Sequence, residues 1–371
     1  PLLLSLICSL YQEKGLILPA RRCQVYEKAV DYMLGEWSQN RKPKPQGRII
    51  AKTRLLEELA YHFSCEGKEI FSSDELYDQL EEYLQRERVP TVFKNADTSE
   101  LMAELSEEDG ILQKLSREGD KYLFLHRTFQ EYFTASYLQR NRDCVALAKE
   151  HFWEYDWHET LSLLTGLMEQ PILLIRAITD EKDDIFSTLL LLAGRCVAEC
   201  QEVSHSLVEN IINRIFEFWY RYPSARFIRS VVVEVGRVNS QMFQRLHTAL
   251  NDSGLLVRWQ VANVLDEIGN AQAVEALIDA LNDSDESVRK SAVWALGKRD
   301  NPQAVEAIIT DLNNLYNFMR WLVAKVLSES NEADAALITS LKDSNEYVRS
   351  NAAIALEKIG TSDTLAKLIL S

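Results

Sequence analysis

Leu250, Leu281, Leu312 and Leu341 are spaced 31, 31 and 29 residues apart, and Arg258, Arg289, Arg320 and Arg349 keep the same intervals. Two residues after each leucine, and six before each arginine, comes Asp252, Asp283, Asn314 or Asp343. Between the arginines, apolar residues recur on one helical face: Val261, Ala262, Val264 and Leu265, then Ala292, Val293, Ala295 and Leu296, with two further copies downstream. A short polar break and a second apolar helix complete each unit. A pair of helices that cannot cover its own apolar face must stack on its neighbours, so the spacing predicts an α-solenoid over residues 226–371. The recurrent Asp252, Asp283, Asn314 and Asp343 with Arg258, Arg289, Arg320 and Arg349 read as a structural ladder, since an arginine fork can bond carboxylate and carbonyl oxygens of a neighbouring unit.

Residues 143–225 are helical without that regularity and read as a bridge leading into the solenoid. Upstream, SQNRKPKPQG (38–47) breaks the helical pattern on both sides. After it come three helices, the second opening on a Ser72–Glu75 capping-box spacing, and then two short strands around SREGD. Three helices followed by a hairpin is the order of a winged helix, expected over 48–142. The expected class is therefore mainly α: a winged-helix domain with a small β-hairpin, followed by a solenoid of helix pairs.

Partner classes are narrowed by charge. The formal net charge is −15, which repels phosphate backbones and anionic lipid alike. The third helix of the winged region carries Glu100, Glu104, Glu107, Glu108 and Asp109 without one lysine or arginine. A helix so charged would repel DNA, so nucleic acid is not an expected partner. The apolar runs fall short of a membrane span. The six cysteines form no CxxC and suit small buried thiols. A metal at Cys196, Cys200 and His205 lacks a fourth ligand, and a reduced, cytoplasmic setting is expected.

The stretch FLHRTFQEYF (124–133) passes from strand to helix at His126. Thr128 and Glu131 have capping-box spacing, which places the helix start near Thr128 and His126 just outside it. Such a position offers unpaired amides and the positive end of a helix dipole to an anion, and an imidazole N–H adds a donor. A histidine satisfied by neighbouring backbone is the competing reading of the residues alone.

FLHRTFQEYF resembles the F-x-H-x-T-F-Q-E signature that closes the winged helix of NACHT-family STAND NTPases, and residues 1–37 are similar to the helical segment following the NACHT nucleotide-binding core. The repeats resemble HEAT repeats of the short kind related to phycobilisome lyases. The NACHT resemblance implies that His126 contacts the phosphate of bound ADP in a closed, inactive state, and that Pro1 packs against the adenine. ADP or ATP would then be the cofactor of a longer parent protein. It further implies self-oligomerisation of that parent, a protein ligand on the solenoid, and a role in signalling of the innate-immune type. No G-x-x-x-x-G-K-[ST] occurs in the chain, so by itself it is not expected to hydrolyse ATP.

Trp259 and Trp321 each follow a ladder arginine, off the apolar stripe, and are candidates for partner contact or for packing against a neighbouring helix. Two alternative functions stand beside the NACHT reading. One is a HEAT-repeat bilin lyase or chromophore-protein chaperone, weakened by the absence of any cysteine after Cys200. The other is a non-enzymatic assembly scaffold.

Overall fold

The computed structural model describes residues 21–35, 45–115, 120–200 and 205–298, with isolated positions between 338 and 356. Backbone contacts divide the chain into two units, 1–203 and 204–371. The division falls inside the segment 143–225 that the sequence suggested as a bridge.

In the first unit, α1 (Arg22–Gly35) precedes the long α2 (Gln46–Cys65). A two-residue strand β1 (Phe71–Ser72) leads into α3 (Ser73–Leu84). Here the capping box forms as expected: the Glu75 amide donates to Ser72 Oγ at 3.2 Å, and the Ser72 amide donates to Glu75 Oε2 at 2.7 Å. Next, α4 (Thr98–Ala103) runs on as a π-helical turn over Glu104–Glu108. Strands β2 (Leu112–Lys114) and β3 (Lys121–Phe124) follow. The sheet order is β1-β3-β2, all antiparallel, with Phe71 opposite Tyr122 and Leu112 opposite Phe124. Three helices and a three-stranded sheet in this order make a winged helix. The sequence foresaw its hairpin but not β1.

The acidic third helix is partly turned inward. Lys52 on α2 is fully buried, with its ammonium 2.6 Å from Glu104 and paired with the buried Asp109. Arg48 also bonds Glu104. Two of the carboxylates that would repel DNA therefore tie α4 to α2. Behind them, Phe63 stacks on Phe71 with centroids 4.0 Å apart, and Phe124 and Phe133 close the core.

Helix α5 (Arg127–Gln139) packs along α2 and against α7 (His158–Leu167). The short α6 (Cys144–Lys149), α8 (Pro171–Asp180) and α9 (Thr188–Glu199) complete the unit. Arg22 of α1 ties the unit together, reaching Glu159 of α7 at 2.5 Å and bonding Glu199 of α9.

The second unit contains α10 (Ser206–Arg221), α11 (Arg226–Val238), α12 (Ser240–Ala249), α13 (Leu255–Ile268), α14 (Ala271–Ala280) and α15 (Glu286–Gly297). Helices α11, α13 and α15 pack side by side, while α12 and α14 cover them as second helices of their units. Val261, Ala262, Val264 and Leu265 are fully buried, as are Ala292, Val293 and Leu296, so the apolar face read from the repeats is the face that stacks. Gly269 ends α13 at φ 71°, a left-handed position that costs glycine nothing. Among the described residues no helix is long and apolar enough to cross a membrane.

Candidate functional site

Strand β3 ends at Phe124, and the Leu125 amide donates to the Ile111 carbonyl at 2.8 Å. The chain then turns directly into α5. His126 itself is the N-cap, in extended geometry (φ −149°, ψ 145°), so the helix begins at Arg127 rather than at Thr128. The Thr128 amide donates to His126 Nδ1 at 3.3 Å, and the Thr128 hydroxyl lies 2.9 Å from the same nitrogen. A nitrogen that accepts an amide hydrogen carries no proton of its own. The neutral ring therefore holds its proton on Nε2. His126 is exposed.

The helix start is less open than its sequence suggested. The His126 ring takes the Thr128 amide, and the Phe129 amide donates to the His126 carbonyl at 2.9 Å. Glu131 does not complete a capping box. Its carboxylate accepts from Arg127 Nε at 2.9 Å instead, and Arg127 also holds Glu69 at 2.5 Å and Asp156 at 3.2 Å. The exposed imidazole and the positive end of a 13-residue helix lie at this turn.

Helix α1 supports this corner. Tyr26 is buried against Phe129 and Tyr132, with centroids 5.9 and 5.8 Å away. Burial raises the Tyr26 phenol above its usual range, with the Thr128 hydroxyl beside it pulling the other way. The sequence carried no signal for Tyr26 beyond its apolar-face position in α1.

Across the first turn of α5 lies a cavity of about 460 Å³ whose walls include the carboxylates of Glu66, Glu69, Glu131, Glu154 and Asp156 against the two cations Lys68 and Arg127. Glu131 is buried, and its carboxyl is pushed up to about 7, first by burial and then by the Glu159 carboxylate, against the pull of Arg127. So acidic a cavity does not suit a phosphate.

Of the ladder residues, Arg258 and Arg289 and their aspartates are described, and each arginine bonds the carbonyl of the aspartate six residues before it in its own unit. Arg258 forks onto Asp283 of the next unit, with Nε 2.8 Å from Oδ2 and Nη2 3.1 Å from Oδ1, and Nη1 donates to the Asp252 carbonyl at 2.8 Å. Arg289 donates to the Asp283 carbonyl at 2.6 Å. Among the described residues Asp252 receives no arginine fork. The Tyr220 hydroxyl donates to its Oδ2 at 2.7 Å, and Arg229, 29 residues before Arg258, bonds the Asn263 carbonyl and Glu267 instead. Trp259 is 36% exposed, and Trp294, which the sequence did not single out, is 45% exposed with the Lys298 ammonium 5.8 Å from its ring. Pro1, Asn314, Arg320, Trp321 and Asp343 lie outside the described residues, and Arg349 is helical and half-buried. Among the described residues no three His, Cys, Asp or Glu side chains gather as a metal site.

Residues 22–138 match the winged helix-turn-helix domain C-terminal to NACHT, and residues 243–328 match HEAT repeats. The chain carries a NACHT-associated winged helix followed by HEAT repeats. No curated protein matches it. Among solved structures, human deoxyhypusine hydroxylase is 17% identical over 63% of this chain and 89% of its own, with a TM-score of 0.30. The Pds5–Scc1 complex is 11% identical over 90% of this chain and 65% of its own, at 0.33. A designed armadillo repeat protein is 14% identical over 58% of this chain and all of its own, at 0.25. The fold rests on the elements described above and on the two family matches.

Proposed function

We propose that this chain is the regulatory and sensor portion of a NACHT-type signal-transduction ATPase. Its NACHT-associated winged helix latches ADP in the resting state, and its HEAT repeats bind a trigger or partner protein. The observation that carries the reading is the His126 ring: its Nδ1 accepts the Thr128 amide, which leaves the Nε2–H of this exposed residue as a donor at the start of α5. That donor and the helix dipole fit a nucleotide phosphate. Arg127 does not compete for it, being held by three carboxylates on the other side. Bound ADP would supply the negative charge that holds the winged helix closed, and His126 would hold its phosphate. Pro1 would meet the adenine.

Neither the winged helix nor the repeats are catalytic domains, so the NTPase chemistry belongs to a nucleotide-binding module elsewhere in the protein. A ligand on the repeats opens the latch only as far as it binds the open state more tightly. Self-oligomerisation of the parent, in the cytoplasm and in a defence setting, follows from the same reading.

The test uses the intact parent protein. His126→Ala should lower the ADP that co-purifies and raise the oligomeric fraction seen by size-exclusion chromatography. ADP retention equal to wild type would remove the latch.

A further inference from the structure

At the far end of α5 from His126, a cleft of about 550 Å³ opens between α2, the end of α3 and the end of α5. Four arginines line it: Arg54 from α2, Arg86 and Arg88 just after α3, and Arg140 at the C-cap of α5. In a chain of net charge −15 this concentration of one cation type needs a reason.

Half of it has a structural one. Arg140 lies 2.6 Å from the carboxylate of the buried Glu57, and Arg86 pairs with Glu58. Both also stand where helices end, and a cation there complements the exposed carbonyls. Arg54 and Arg88 are not accounted for in this way. They are exposed, and they make no hydrogen bond or ion pair with any described residue, although the Arg54 charge is felt by Glu57 and Tyr83. Two pairs are neutralised and two guanidinium groups are left over.

We infer that this cleft is a second anion site, which binds a small molecule bearing two or more phosphate groups. The volume is that of a small-ligand pocket. Guanidinium is the side chain whose planar fork matches phosphate oxygens two at a time. One phosphate would meet the unpaired Arg54 and Arg88, and a second would draw on Arg86 and Arg140 across the rim. The site is separate from the His126 latch, since α5 rises about 1.5 Å per residue and sets Arg140 roughly 20 Å from His126.

The experiment is isothermal titration calorimetry of this chain with inorganic tripolyphosphate and, separately, with inositol hexakisphosphate, each at low and high salt. At least one should bind wild type, more weakly at high salt. The variant Arg54→Ser/Arg88→Ser should weaken that binding at least tenfold, while His126→Ala leaves it unchanged. The two arginines are exposed and unpaired, so the double variant should melt with wild type, and circular dichroism checks this. Binding of neither compound to wild type would overturn the inference. So would binding that survives the double arginine substitution, or that disappears in His126→Ala.

Discussion

The Arg258 guanidinium and the Asp283 carboxylate form a two-bond fork between consecutive repeats, both side chains nearly buried at 13% and 8% exposure. The arginine belongs to one unit and the carboxylate to the turn that opens the next. Burial works to raise the Asp283 pKa, yet the Arg258 fork, the Asp285 amide and the Arg289 charge together hold it below the usual carboxylate range.

Removing one partner strands the other. Arg258→Met should therefore destabilise the repeats by about 3 kcal/mol, the order expected when a buried pair is broken from one side. Because the Asp283 pKa is depressed in the folded state, its stabilisation is present above its unfolded pKa and is lost as pH falls through the folded value. Urea denaturation between pH 2 and pH 7 should show that acid loss in wild type and a flatter curve in Arg258→Met.

Glu131 titrates in the opposite sense. Its carboxyl is raised to about 7, so folding is favoured below the unfolded pKa and the advantage is lost as pH rises through the folded value. The thermal midpoint of wild type should fall between pH 5 and pH 8. Glu131→Gln, which cannot ionise, should hold its midpoint across that range, the gap at pH 8 corresponding to about 3 kcal/mol.

Lys52 has no solvent exposure and faces Glu104 and Asp109. Lys52→Met should cost about 3–5 kcal/mol, since the buried Asp109 then loses the ammonium while Glu104 keeps Arg48. Lys52→Met/Asp109→Leu, with less charge left stranded, should recover part of that loss in the same chemical denaturation experiment.

Gly236 of α11 lies against the Ile268 side chain of α13. A Cβ built there would sit 2.8 Å from Ile268 Cδ1. Gly236→Ala should therefore cost about 1–3 kcal/mol by overpacking. Adding Ile268→Val, which removes that methyl group, should restore most of the thermal midpoint; no recovery would show that another contact sets the spacing.

Patterns that close within a few residues were legible in the sequence. The buried stripe Val261, Ala262, Val264 and Leu265 follows from the 3.6-residue period alone, and the Ser72–Glu75 box closes within four residues. The even spacing of Asp252 and Asp283, and of Arg258 and Arg289, was also readable, because a repeat keeps the distance between equivalent residues constant. The short α8 (PILLIRAITD) escaped notice, although its proline stands at the first turn, where helices accept it.

Where two local answers competed, only the tertiary structure chose between them. Thr128 and Glu131 had the spacing of a cap, but Arg127 drew Glu131 toward Glu69 and Asp156, and the His126 ring took the Thr128 amide. Strand β1 is two residues long and exists only because Tyr122 and Lys121, some fifty positions away, pair with it. Nor could any local pattern bring Arg54, Arg86, Arg88 and Arg140 to one cleft, since they come from different elements. Periodicity decides which face of a helix is apolar because it acts within a turn. Which charges meet depends on how distant helices pack, and a side chain binds the partner that packing places in reach.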